Sequence, residues 1–370
     1  MAREYQICSR CILDTTDPNI EFDEKGVCNH CRGYEKIAQR RVFEGIKAKK
    51  KLEELVEKIK QEGMDRKYDC LIGLSGGVDS TYVAYIVREL GLRPLAIHLD
   101  NRWNTRIAEE NIRNIVDKLQ LDLKTYTVDW EEFKDLQLAF LKASVVDIEF
   151  ITDHGLAALI YKVANEKGIK YVLTGNNVVT EAVMPESWAY HKNDLVNLKA
   201  IHKQFGTVRL KNFPTLGILK KAYFQCIRKI RSIPILNYVN YVKEDAKKLM
   251  ARELGWKDYG GKHYESVFTR FYQAYILPKK FDIDKRKAHL SNLICSGQMT
   301  RQEAMKQMEQ DPYPDEQILK EDKDHVLKQL GLTDEEFEKI MSLPVRSHYD
   351  YRNSVKMLKF LRYVNTILGK

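Results

Sequence analysis

The stretch Cys70-Leu71-Ile72-Gly73-Leu74-Ser75-Gly76-Gly77-Val78-Asp79-Ser80 decides the reading of this chain. An apolar run, Cys70–Leu74, reads as a short buried strand. The residues from Thr81 to Leu90 carry a helical pattern. Strand, glycine-rich turn and helix together present free backbone N–H groups to a phosphate. Adjacent glycines let the main chain approach an anion with no Cβ in the way. The serine hydroxyls add donors, and Asp79 is placed to hold a divalent cation. A Walker loop would end Gly-Lys-Ser/Thr, which this stretch lacks.

Beyond the loop, the pattern alternates. Strands are expected at 69–74, 94–99, 123–128 and 170–174, and helices at 80–90, 106–119, 131–143 and 154–167. Alternation of this kind implies a parallel sheet covered by helices, with ligands beyond the carboxyl ends of the strands. Residues 46–66 read as a charged connector helix with Leu52, Leu55, Val56 and Ile59 on one face. Residues 217–370 read as mostly helical. The resulting division is 1–45 for an N-terminal module, 46–66 for the connector, 67–215 for the nucleotide domain and 216–370 for a substrate- or partner-binding region.

Cys8-Ser-Arg-Cys11 and Cys28-Asn-His-Cys31 form two CxxC pairs separated by sixteen residues. Each pair can place two thiolates on one side of a metal, and four thiolates suit tetrahedral Zn²⁺ in a closed, structural site. An iron–sulfur cluster is the alternative. His30 is expected near the site but not as a ligand. Cys70 belongs to the first strand, and Cys226 and Cys295 lie in helical surroundings. A net charge of +9 suits polyanionic ligands without choosing among them. No apolar stretch is long enough to span a membrane, and the first residues lack a signal-peptide pattern. A cytoplasmic protein is expected.

Ser-Gly-Gly-Val-Asp-Ser resembles the PP-loop of ATP pyrophosphatases, in which the loop grips the β,γ-pyrophosphate of ATP while the α-phosphorus is attacked. The phrase from Cys8 to Cys31, followed by this loop, is similar to the opening of N-acetyl sugar amidotransferases of the WbpG and PseA type, bacterial surface-polysaccharide enzymes. The resemblance implies an adenine nucleotide alpha hydrolase-type, Rossmann-like α/β fold, with a zinc-knuckle module before it and a mainly helical region after it. It implies ATP, Mg²⁺ and Zn²⁺ as cofactors. Ser75, Gly76, Gly77, Val78, Asp79 and Ser80 would bind nucleotide, with Leu99 and Asp100 near the adenosine. Leu173-Thr174-Gly175-Asn176-Asn177, then Thr180-Glu181, resembles the second nucleotide motif of ammonia-using enzymes such as NAD synthetase. Gly175 and Asn176 would then bind nucleotide, and Glu181 would join Asp79 on Mg²⁺. Asp79, Ser80 and Glu181 are the expected catalytic set. Glu181 as an ordinary helix-start glutamate remains open at this stage.

Tyr259-Gly260-Gly261-Lys262-His263 leads on to Arg270 and to Asp284-Lys285-Arg286. This looks like the family's C-terminal signature, and Lys262, His263, Arg270 and Arg286 are candidates for substrate phosphates. A solvated basic helix would explain the same charges. Asp153 reads as a helix N-cap, and near the mouth of the sheet either Asp153 or His154 could instead face substrate. The implied reaction converts an acetamido group of a sugar or nucleotide-sugar to an acetamidino group by adenylation, releasing AMP and pyrophosphate. Ammonia would come from a separate glutaminase like that of imidazole-glycerol-phosphate synthase, with its cyclase-like companion. No membrane partner is expected, and nucleic acid is disfavoured. The rival reading is a PP-loop tRNA-modifying enzyme of the thiolation type.

Overall fold

The computed structural model of the chain describes residues 4–358, apart from His263 and Pro314. Five strands form one parallel sheet: β1 Cys70–Gly73, β2 Pro94–Asp100, β3 Asp122–Thr127, β4 Tyr171–Thr174 and β5 Arg231–Pro234. Their spatial order is β3-β2-β1-β4-β5, and every neighbouring pair is parallel. Helices 78–89, 106–119 and 150–166 connect the strands as the sequence pattern predicts.

Side chains along the strands divide between two cores with the period of two that a strand imposes. Cys70, Ile72, Ala96, Tyr171 and Leu173 join Val56 and Ile59 of helix 45–63 on one face. Leu71, Leu95, Ile97, Leu99 and Val172 join the helices 130–143 and 150–166 on the other. Both faces of the central strands β2, β1 and β4 are thus dry, as parallel strands require, while the edge strands β3 and β5 are partly exposed.

Two elements differ from the sequence pattern. β5 lies within the stretch that reads as helical, and it pairs with β4 through Tyr171–Arg231 to Thr174–Pro234. Being a four-residue edge strand ending in proline, it has no room to show alternation. The helix assigned from 154 begins at Phe150. Asp153 therefore lies inside its first turn, and it is Asp147 Oδ1 that accepts the Phe150 N–H, at 3.2 Å.

The N-terminal module packs against the C-terminal half of the chain. Arg301 Nε donates to Cys11 O at 3.0 Å, Lys287 Nζ meets Asp14 Oδ2 at 2.5 Å, and the Ile12 N–H reaches Ser291 Oγ at 3.3 Å. Among the described residues no helix is long and apolar enough to cross a membrane.

Candidate functional site: a nucleotide cleft at the switch point of the sheet

In the order β3-β2-β1-β4-β5, the chain leaves β1 toward β2 and leaves β4 toward β5. A crevice therefore opens between the carboxyl ends of β1 and β4. Ser75–Ser80 follows β1, and Gly175–Glu181 follows β4, so the two motifs meet there.

The loop after β1 is held in a shape only glycine accepts. Gly76 has φ +79°, and a Cβ there would lie 2.7 Å from Ala108 O. Its carbonyl accepts the Trp256 indole N–H at 2.9 Å and the Asn111 amide at 3.4 Å. Gly77 caps helix 78–89 with no side chain, which leaves the helix N-terminus open to an anion. Hydroxyls meet the loop's donors: Ser75 N–H to Ser80 Oγ at 3.2 Å, Gly77 N–H to Ser75 Oγ at 3.2 Å, Val78 N–H to Tyr259 OH at 3.1 Å. A hydroxyl can rotate away and become a donor itself, so phosphate oxygens can replace these partners without leaving any N–H orphaned.

Gly175 approaches Asp79 so closely that a Cβ would lie 3.1 Å from the Asp79 carbonyl carbon. Asp79 accepts a hydrogen bond from Tyr241 OH. Burial pushes its carboxyl above the ordinary range. Lys262 opposes that shift and the Glu181 charge adds to it. Glu181 accepts from Lys262 Nζ at 3.3 Å and from the Asn176 amide at 3.1 Å. Lys262 Nζ also donates to Thr180 O at 3.1 Å. Two carboxylates facing one crevice, with one lysine between them, fit a divalent cation that would take over the neutralisation.

The crevice belongs to a cleft of about 820 Å³. One wall is Ser75, Gly77–Ser80, Gly175, Asn176 and Glu181. The opposite wall comes from the C-terminal half, including Lys243, Tyr259–Lys262, Gln273, Lys285, Arg286 and His289. Gln273 lies in a π turn, Tyr272–Ile276, that interrupts helical segment 267–281. Its amide donates to Glu149 Oε2 at 3.0 Å, which Lys285 Nζ also approaches at 3.3 Å. Asp153 opens onto the same cleft while pairing with Lys192 at 3.1 Å. Its side chain is half open to solvent, between the Lys192 ammonium and the acidic Glu149 and Asp147.

Other sequence candidates lie elsewhere. Arg270 is not at the cleft wall. It forms a fork with Asp322 at 2.6 and 2.8 Å, and Tyr313 OH donates to the same carboxylate. Arg286 lines the cleft, but its guanidinium is held by Asp284 at 2.7 Å and by Gln310 O at 2.7 Å. Leu99 is buried in the core, and Asp100 accepts the Arg102 N–H at 3.0 Å at the end of β2. Neither lines the cleft. His263 lies outside the described residues. His98 and His154 are packed, with Nδ1 of each on a backbone carbonyl, Leu74 O and Lys192 O respectively. Tyr241, Trp256, Asn111 and Gln273 had no motif to announce them.

The four N-terminal cysteines are buried, and their sulfurs lie within 4.8 Å of one another, a set that could hold a metal ion. The Cys11 N–H donates to Cys8 Sγ and the Cys31 N–H to Cys28 Sγ, both at 3.4 Å. Cys28 is also the N-cap of helix 29–41, where the helix dipole favours a thiolate. His30 turns to Asp17, at 2.7 Å. A fifth thiol, Cys295, lies 3.6 Å from Cys31 Sγ, a neighbour that sequence spacing gave no sign of.

Residues 48–208 match the family model of NAD synthase, and residues 265–364 match that of the LPS biosynthesis protein WbpG-like, C-terminal domain. The chain is 25% identical over 319 residues to the uncharacterized protein MJ1599 of Methanocaldococcus jannaschii, covering 84% of this chain and 95% of that one. Among solved structures it resembles an NH3-dependent NAD synthetase from Campylobacter jejuni subsp. jejuni, with 22% identity, TM-score 0.28, 36% of this chain and 58% of that one. It also resembles an NMN synthetase from Francisella tularensis, with 14% identity, TM-score 0.33, 68% of this chain and 94% of that one.

Proposed function

We propose that this chain, a WbpG-type PP-loop protein, is an ATP-dependent N-acetyl sugar amidotransferase that turns an acetamido group into an acetamidino group. One observation supports the reading above the rest. The nucleotide loop and the WbpG-like segment line a single cleft, so a sugar held by Gln273, Lys285, Arg286 and His289 would face the phosphates held at Ser75–Ser80.

An amide carbonyl is a poor electrophile, and the oxygen must first become a leaving group. The acetamido oxygen attacks the α-phosphorus, and pyrophosphate departs along the loop N–H groups and the open end of helix 78–89. Ammonia then adds to the activated carbon, which sheds the oxygen with AMP. Asp79 and Glu181 are the residues that would hold Mg²⁺, whose charge neutralises the phosphates. Lys262 and Lys243 add positive charge where pyrophosphate accumulates. Asp153, which opens onto the cleft, is placed to accept the proton that incoming ammonia loses. The four thiolates at Cys8, Cys11, Cys28 and Cys31 are assigned to a structural Zn²⁺.

Ammonia is assigned to a separate glutaminase, of the imidazole-glycerol-phosphate synthase type, with a cyclase-like companion. The cysteines support a separate source. Cys70 is buried in β1, Cys226 lies away from the cleft, and the other five gather at the N-terminal cluster.

The test is pyrophosphate release from Mg-ATP with ammonium and a panel of N-acetylated sugars and nucleotide-sugars. The acetamido oxygen is labelled with a heavy isotope. Label in AMP, and a product carrying NH in place of that oxygen, are the expected results. AMP formation with tRNA and with none of the sugars would overturn the reading.

A further inference from the structure

We propose that the segment 218–231 is a docking surface for an anionic lipid bilayer, on the edge of the sheet opposite the nucleotide cleft. The helix Ile218–Ala222 runs on into the π turn Tyr223–Ile227. Its inner side is anchored by Phe224, which is buried and stacks on Tyr161 at 5.8 Å. Its outer side carries Leu219, Tyr223 and Ile227, four residues apart, at 81, 47 and 67% exposure. Leu219 and Ile227 form one apolar stripe together with Tyr223.

The segment's own charge is of one sign: from Ile218 to Arg231 the chain has five Lys or Arg and no Asp or Glu. Lys220, Arg228, Lys229 and Arg231 are exposed, and none is in a salt bridge with a described residue. Lys229 even occupies a left-handed position, φ +56°, where glycine is the easier residue. A protein partner is ordinarily met by charges of both signs in register. A bilayer bearing anionic headgroups presents a uniform negative field, and a segment with cations and no acid suits that field. Apolar stripe and cationic rim are also the two signals that peripheral attachment requires together.

Topology sets the orientation. β5 begins at Arg231 and runs parallel to its neighbours, so the residues before it lie at the amino-terminal edge of the sheet. The PP-loop leaves the opposite edge, and the cleft stays open when this surface is covered. A bilayer at this surface departs from the expectation of no membrane partner drawn from the sequence.

The experiment is co-sedimentation of the full chain with phosphatidylglycerol-containing vesicles and with neutral phosphatidylcholine vesicles, at low and high salt. Binding only to the anionic vesicles, weakened by salt, is expected. Lys220→Gln/Arg228→Gln/Lys229→Gln should weaken it about 100-fold, at roughly fivefold per cation. Leu219→Ser/Ile227→Ser should weaken it while leaving the salt dependence in place. A fluorophore on Cys226, the exposed thiol in the segment, should shift to the blue on anionic vesicles. Pyrophosphate release by these variants, and their circular dichroism, should match the parent. Failure to bind anionic vesicles at low salt overturns the proposal. So does binding that both variants retain, or binding to RNA in place of vesicles.

Discussion

Gly76→Ala is the sharpest probe of the loop. Two costs add. At φ +79° an L-residue pays about 1–2 kcal/mol for the left-handed backbone. The new Cβ would also sit 2.7 Å from Ala108 O, a backbone atom in helix 106–119 that cannot swing aside. Forced overpacking costs about 1–3 kcal/mol, so the expected total is about 2–5 kcal/mol. Unfolding entropy scales with length, and for 370 residues this is a fall of about 3–6 °C in melting temperature. Relief requires the loop to move, which breaks the Trp256 bond to Gly76 O and shifts Gly77 and Val78. A displacement of about 1 Å at a reacting centre costs roughly 10²-fold in rate. The control is Gly260→Ala. It shares the strain, with φ +89°, but has nothing within 4 Å of its Cβ, so it should lose about 1–2 kcal/mol. Chemical denaturation gives the stabilities, and pyrophosphate release gives the rates. Equal losses for the two variants, or a fully active Gly76→Ala enzyme, would refute the packing argument.

Asp79→Asn should abolish pyrophosphate release yet raise stability by about 0.5–2 kcal/mol at pH 8. The folded protein holds this proton more tightly than the unfolded chain. The carboxyl's contribution is therefore fully present at low pH and lost as pH rises through the folded pKa. The advantage of asparagine should thus shrink toward pH 4 in urea titrations. Cys31→Ser should lose bound zinc, whereas Cys295→Ser should keep one zinc per chain by elemental analysis, since four thiolates already close the site. Arg270→Ala should destabilise by about 3–5 kcal/mol, because it strands Asp322 in a buried site. It should leave the KM for ATP unchanged, and Arg270→Leu/Asp322→Leu should be milder.

Much of this site is legible in the sequence because its demands are local. A phosphate-binding turn needs glycines and hydroxyls within six residues, and Ser75–Ser80 supplies them. A closed tetrahedral metal needs two short-range pairs, and Cys8–Cys31 supplies those. What was not legible depends on contacts between distant segments. Tyr241 on Asp79 and Trp256 on Gly76 O join residues 162 and 180 positions apart, and an isolated tyrosine or tryptophan has no pattern. Arg270 looked like a phosphate ligand because nothing near it in sequence announces Asp322, 52 residues on. Asp153 looked like a cap because the true start, at Phe150, follows an isoleucine and a glutamate with no capping signature. β5 is too short and too near the edge to alternate.

The clasp between the cysteine module and residues 287–301 has a consequence for biosynthesis. Its partners Cys11 and Arg301 lie 290 residues apart. At about 5–20 residues per second, the ribosome exposes the first roughly 15–60 s before the second exists. During that interval the thiols can gather metal, since both pairs are already synthesised. The face of the module that Ser291, Lys287 and Arg301 will cover has nothing to rest on. Closure of the molecule is thus a late event, and helices 285–295 and 301–308 act as the fastener of a fold whose first knot was tied at the start.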